Sequence, residues 1–225
     1  MNHRSGSPSK PSKAKRAPAT ARGAKTRAKI IRAAETVFGG DGYERGSIAD
    51  IAREADVALG TFYIYFPDKK SAFIELVDEL GRKLRRDLGA ATAGLEHRVA
   101  VERAGLRAFL EFTASHRGLY RIVRQAEFVD EPTYRRYYEG IAGRYAEALE
   151  RAMDDGQIRR LDPETLAYCL MGLADFLGMR WVLWGQEDDD VERTLAAAAS
   201  FLEHGLAAAP APAPRRSRPR KGTAP

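Results

Sequence analysis

The stretch Ser47-Ile48-Ala49-Asp50-Ile51-Ala52-Arg53-Glu54-Ala55-Asp56-Val57-Ala58-Leu59-Gly60-Thr61-Phe62-Tyr63-Ile64-Tyr65-Phe66-Pro67-Asp68-Lys69 decides the fold. Ser47 is a good helix cap, and Ile48, Ile51 and Ala52 behind it fall on one face of a short helix. Asp56-Val57-Ala58 then makes a tight turn into a second short helix, Ala58 to Tyr65, with Val57 and Phe62 inward. Pro67-Asp68 opens a much longer helix, reaching about Leu88. Two short helices joined by a few residues have the geometry of a helix-turn-helix, whose second helix enters the major groove of DNA. That helix is rich in small and hydroxylated residues, which suits close approach. Gly60 lets the backbone come near, while Thr61, Tyr63 and Tyr65 offer hydroxyls to phosphate. Packing of Tyr63 and Tyr65 between this helix and the first helix is the alternative. Phe62 and Phe66 are assigned to the core.

Outward from this stretch the chain reads as helix throughout. Lys25 to Phe38 places Ile30, Ile31, Ala34, Val37 and Phe38 at three- and four-residue spacings, and Gly39, Gly40 and Gly42 supply the left-handed stop. Further amphipathic segments run from Val99 to Ser115, Gly118 to Phe128, Pro132 to Asp155, Pro163 to Trp184 and Val191 to Ala207. Asp162-Pro163 and the acidic run Glu187 to Asp190 are helix-start signals. No window alternates as strands do. The expected fold is all-α, with about nine helices in two domains: a reading domain over residues 24–67 and a second over 68–207. Residues 1–23 and 208–225 are expected to be disordered basic tails, being rich in Ser, Pro, Ala and Lys or Arg without hydrophobic periodicity.

Charge divides along the same lines. Residues 1–27 hold eight basic side chains and residues 207–225 five, with no acid in either, so the 24 remaining bases against 31 acids leave about −7 for residues 28–206. Basic tails on an acidic body point to a polyanionic partner. The N-terminus has no apolar stretch behind its charge, so a cytoplasmic location is expected. The longest apolar run, Leu166 to Trp184, is interrupted by Asp175 and Arg180 and reads as a buried helix. Lone Cys169 within it reads as a buried thiol. The four histidines (His3, His97, His116, His204) lack metal-ligand spacing, and the chain contains neither a Gly-rich phosphate loop nor a nucleophile motif. No enzymatic activity, metal or cofactor is therefore expected.

Residues Arg27 to Leu80, and above all Ile48 to Ala52 followed by Ala55 to Lys69, resemble the DNA-binding domain of TetR-family transcriptional regulators. The resemblance implies that Ser47 caps the second helix beside a phosphate, Ala58 and Thr61 face the groove, and Tyr63 and Lys69 bind phosphates. Two positions depart from the family pattern: Asp56 stands where glycine is usual, and Ala58 where serine or threonine is usual. Aspartate tolerates left-handed backbone better than most residues, so the turn is expected to survive. A hydroxyl contact at position 58 is not.

The resemblance also implies a homodimer joined through the last two helices and a small-molecule effector held in the second domain. The Leu166 to Trp184 segment is apolar on nearly every face, which fits a partner on one side. Val191, Leu195, Ala198, Leu202 and Leu206 make a narrow stripe on the last helix. Candidate effector-lining residues are Phe109, Phe112, Leu119, Ile122, Tyr134, Tyr138, Met171, Asp175 and Trp181, a mainly aromatic set with few polar groups. Ordinary helix-bundle core is the plain alternative for each. The segment His116 to Tyr138 resembles regulators that sense acyl-coenzyme A compounds, with Arg121 and Arg124 placed for phosphates or on a solvated face. The expected function is thus repression from a palindromic operator, relieved by a largely apolar effector. Effector-independent binding of nucleic acid through the tails is the alternative.

The tails generate a first prediction. Deleting residues 1–22 lowers affinity for DNA and flattens its salt dependence while leaving the preferred sequence intact, because cationic arms contribute counterion release. Titrations at several salt concentrations check this.

Overall fold

The computed structural model describes residues 20–185 and 191–206. Most of both basic tails and the Glu187 to Asp190 run lie outside the described residues. Among the described residues the elements are α1 (Ala21–Asp41), α2 (Ile48–Glu54), α3 (Leu59–Tyr65), α4 (Lys69–Thr92), α5 (Arg98–Ser115), α6 (Leu119–Val129), α7 (Glu131–Asp154), α8 (Pro163–Gly178), a π-helical turn (Met179–Leu183) and α9 (Val191–Leu206). The chain divides into two compact units. The first comprises residues up to Leu80 together with Gly118–Tyr134, and the second Gly81–Arg117 together with the rest from Arg135.

In the first unit, α1 buries Ile30, Ile31, Ala34, Val37 and Phe38, the stripe its spacing predicts. The helix starts earlier than that stripe, because the Thr20 side chain accepts from Gly23 N at 3.1 Å. It also ends later. Gly39 and Gly40 stay helical, and the stop falls at Gly42, with φ of 86°. The reason lies about eighty residues downstream in α6. A Cβ on Gly118 would lie 2.7 Å from Gly39 Cα, so two backbones meet where only glycines fit. The Arg121 guanidinium donates to the carbonyls of Gly39 and Gly40, satisfying groups that a helix end leaves open. The Tyr43 amide donates to the Gln125 side chain. Phe38, Tyr43 and Phe73 pack ring on ring, with centroids 5.0 to 5.7 Å apart. Lys70 pairs with Asp130 at 3.1 Å, and Asp130 also accepts from the amide of Thr133 at 3.2 Å. The Thr133 hydroxyl and the nearby ammonium hold that carboxyl below its ordinary range.

In the second unit, two apolar clusters share α9. Leu202 and Leu206 pack with Leu149, Met153, Leu166 and Leu170, whereas Leu195 and Ala198 pack with Leu106 and Leu110. α8 begins as expected, with Asp162 accepting from Thr165 N at 2.7 Å and Pro163 in the first turn. At Met179 it continues as the π turn, which ends at Leu183 beside the expected Trp184. Cys169 lies on the exposed side of α8. An apolar neighbourhood in sequence does not bury a residue when one face of the helix is left open. No described helix is long and apolar enough to cross a membrane.

The second unit also holds a buried ionic network that sequence patterning does not disclose. The Arg98 guanidinium donates to the Glu102 carboxylate, and the Tyr145 hydroxyl donates to its other oxygen. Both charged residues are buried, and burial pushes the Tyr145 hydroxyl well above its ordinary pKa. Removing one partner of such a pair leaves an uncompensated buried charge. Glu102→Ala is therefore expected to destabilise the protein by about 3–5 kcal/mol, and the joint apolar replacement Arg98→Met with Glu102→Leu by much less. Thermal melts of the single and double variants check the ordering.

Candidate nucleic-acid interface

The interface is built from the cap of α2 onward. Ser47 Oγ accepts from Asp50 N at 3.1 Å, and Asp50 accepts from Ser47 N at 3.2 Å, which completes a capping box. The Ser47 hydroxyl and Arg53, both bonded to the Asp50 carboxylate, lower its pKa. At the other end, Val57 N donates to Ala52 O and Asp56 N to Arg53 O, each at 3.0 Å. This pair of bonds is the Schellman arrangement, and it requires left-handed backbone at the residue between. Asp56 has φ of 46°, the one non-glycine residue with positive φ among those described. The turn survives without glycine, as expected of aspartate. Its carbonyl and carboxylate also accept from Lys29 Nζ, at 3.4 and 3.2 Å.

α3 has little intrinsic reason to be helical. It is seven residues long and includes Gly60 and two β-branched residues. Ala58 sits at its N-cap with no side-chain hydrogen bond, in line with the loss of a hydroxyl there. Tertiary packing fixes the helix instead. Phe62 and Phe66 are fully buried, with ring centroids 5.6 Å apart. The Arg27 guanidinium lies 5.1 Å from the Phe66 ring and pairs with Glu75 at 2.9 Å. The opposite face is open: Leu59, Gly60, Tyr63 and Ile64 are exposed, with Thr61 and Tyr65 half-buried at its borders.

Lys69 takes a place that its sequence position does not reveal. Its ammonium donates to the carbonyls of Tyr43, Glu44 and Gly46 at 2.8, 3.3 and 3.2 Å, and lies 4.4 Å from the Tyr43 ring. The ammonium thereby ties the loop that leads into the Ser47 cap. Cations the sequence reading did not single out for this surface stand on α1, where Lys25, Lys29 and Arg32 line a shallow open cleft. Their three- and four-residue spacing is a signal that the composition of the tail obscures.

The effector candidates separate between the two units. Leu119 and Ile122 are buried on α6 in the first unit, which also holds Tyr134. Phe109, Phe112, Tyr138, Met171, Asp175 and Trp181 belong to the second. There Phe109 packs on the Leu106–Leu195 cluster, Phe112 lies 4.6 Å from the His116 ring, and Tyr138 stacks edge-on against Tyr137 at 5.2 Å. Burial and the Asp175 carboxylate raise the Tyr137 pKa. Met171, Asp175 and Trp181 are half-buried. Trp181 Nε1 is buried without a hydrogen-bond partner among the described residues, and the Arg180 guanidinium lies 5.0 Å from its ring.

A capped helix, a left-handed turn and a second helix with one face held and the other open define a helix-turn-helix DNA-binding protein. Residues 30–76 match the bacterial regulatory proteins of the tetR family. Over its wider length the chain is 30% identical to the HTH-type transcriptional regulator TtgR of Pseudomonas putida, the match covering 75% of this chain and 87% of TtgR. Among solved structures it resembles the fatty acid degradation regulator FadR of Bacillus halodurans, with a TM-score of 0.70, 22% identity and coverage of 79% and 94%. It also resembles the regulator FadR of Bacillus subtilis solved with stearoyl-CoA, with a TM-score of 0.65, 23% identity and coverage of 79% and 95%. The chain belongs to the TetR family of transcriptional regulators, a non-enzymatic family.

The turn generates a second prediction. Asp56→Gly leaves stability and DNA affinity intact, because glycine adopts φ of 46° without strain. Asp56→Val costs about 1–2 kcal/mol, the penalty for left-handed backbone in an ordinary residue. Chemical denaturation of both variants is the measurement.

Proposed function

We propose that this regulator represses transcription as a homodimer on a palindromic operator, and that a small, largely apolar effector bound in the second unit releases it. The observation that carries the reading is the open face of α3, which contributes nothing to its own core and is held outward by the buried Phe62 and Phe66. Thr61, Tyr63 and Tyr65 supply hydroxyls, and Ser47 the cap, for the phosphates that set register. Lys25 and Arg32, both exposed, add the sequence-independent attraction.

Dimerisation is supported by apolar surface that a monomer leaves in water. Phe176 on α8 is 65% exposed and Phe201 on α9 67%, with Tyr168 also exposed. A two-fold contact through these helices presents two copies of α3, matching half-sites about 34 Å apart or a multiple of it. The effector class is supported by the apolar composition of the second unit's candidates and by the FadR neighbour solved with stearoyl-CoA. An effector shifts the balance only by binding one state better than the other. α4 is the natural lever, since its first half belongs to the unit that reads DNA and its second half to the other.

The reading is tested by selecting duplexes with the full chain and then titrating the bound operator with long-chain acyl-CoA compounds and planar aromatic compounds. At least one class is expected to release it, and the selected site is expected to be a palindrome. Once a releasing compound is in hand, Met171→Trp removes release while sparing dimerisation and basal affinity. Equal release from wild type and variant would make Met171 core rather than pocket.

A further inference from the structure

The open face of α3 is unusual in what it lacks. The helix, Leu59-Gly60-Thr61-Phe62-Tyr63-Ile64-Tyr65, contains no Arg, Lys, Asn or Gln, the side chains that make paired hydrogen bonds to base edges. Its hydrogen-bonding capacity is limited to three hydroxyls. The face carries aliphatic groups instead: Ile64 is 77% exposed and Leu59 is 49% exposed. Neither side chain contributes to the buried core, and Ile64 is among the most exposed large apolar residues described. Gly60, one turn before Ile64, would meet nothing within 4 Å if it bore a Cβ, so the surface beside Ile64 is open to an approaching duplex.

Only one apolar feature of unmodified DNA projects into the major groove, and it is the 5-methyl group of thymine. We infer that Ile64 and Leu59 read the operator by packing on thymine methyl groups, so that sequence preference in each half-site is carried by shape and methyl contact more than by hydrogen bonds. The cations beside the turn support placement of this face on DNA. Lys29 is bonded to Asp56 one residue before Val57, and Lys25 and Arg32 share its helix face. The attraction they provide is the same for every sequence. Discrimination therefore falls to α3, and on α3 to methyl recognition. The inference rests on the proposed DNA-reading role of α3, and its test separates failure of the two.

The operator selected by the full chain is resynthesised with each thymine replaced in turn by deoxyuridine, which removes one methyl group and leaves every hydrogen-bonding group in place. Kd is expected to rise roughly three- to fivefold at one or two thymines per half-site, the cost of exposing a methyl-sized group. At those positions a C·G pair weakens binding, and 5-methylcytosine in that pair restores part of it. Ile64→Ala and Leu59→Ala, both at exposed positions and so expected to fold as wild type, each abolish the uracil penalty at the position their side chain covers. Uracil tolerated everywhere with sequence preference intact would overturn the inference while leaving the DNA-reading role standing. So would an undiminished penalty in both alanine variants. If the selection enriches no sequence, both are overturned.

Discussion

The reading unit depends on one close approach, that of Gly39 in α1 to Gly118 at the start of α6. Because neither residue has a side chain, the two backbones meet, and α6 can lay Arg121 across the last carbonyls of α1 and Gln125 against the Tyr43 amide. The loop after α1 is thereby fixed at one end by α6, and at the other by Lys69, which gathers the carbonyls of Tyr43, Glu44 and Gly46. Ser47 follows directly. Its capping box sets the start of α2, the Schellman turn at Asp56 sets the exit, and the direction of α3 is then determined. Placement of a seven-residue helix with poor propensity thus follows from contacts made by residues far from it in sequence.

The connections of the chain give this arrangement a further consequence. α6 belongs with the reading unit, yet α5 immediately before it belongs to the other, as does α7 beyond Tyr134. Together with the middle of α4, the chain passes between the units at three points. The helices that hold α3 are thus joined along the chain to the second unit at two points besides α4. Lys70 and Asp130 strengthen one of them by tying α4 to the end of α6.

Local signals in the sequence disclose α2, the turn after it and the inner face of α3. Ser47, Asp56, Phe62 and Phe66 each act within a few residues of themselves, so spacing and capping chemistry disclose them. Gly39 is different: a glycine after an apolar stripe reads as a stop, and only a partner near residue 118 explains why it remains helical. Arg121 and Lys69 were hidden for a related reason. Both look like solvated or phosphate-binding cations until the carbonyls they satisfy come near, and those lie 23 to 26 residues away for Lys69 and 81 or 82 for Arg121. Cys169 shows the limit of hydrophobic neighbourhood as a guide, because an all-round apolar helix need not be buried on every face. Nothing local in the sequence marks Ile64 as exposed, since an aliphatic side chain within two residues of the buried Phe62 and Phe66 ordinarily belongs to a core.

Whether α6 is truly part of the reading unit is measurable by native-state hydrogen exchange on the full chain. The account predicts that α6 amides and those of Ile30 to Phe38 open together, with a common free energy of opening, and that Gly118→Ala lowers both by the same amount. Exchange of α6 well before α1, with α1 protection unchanged in the Gly118→Ala protein, would contradict it.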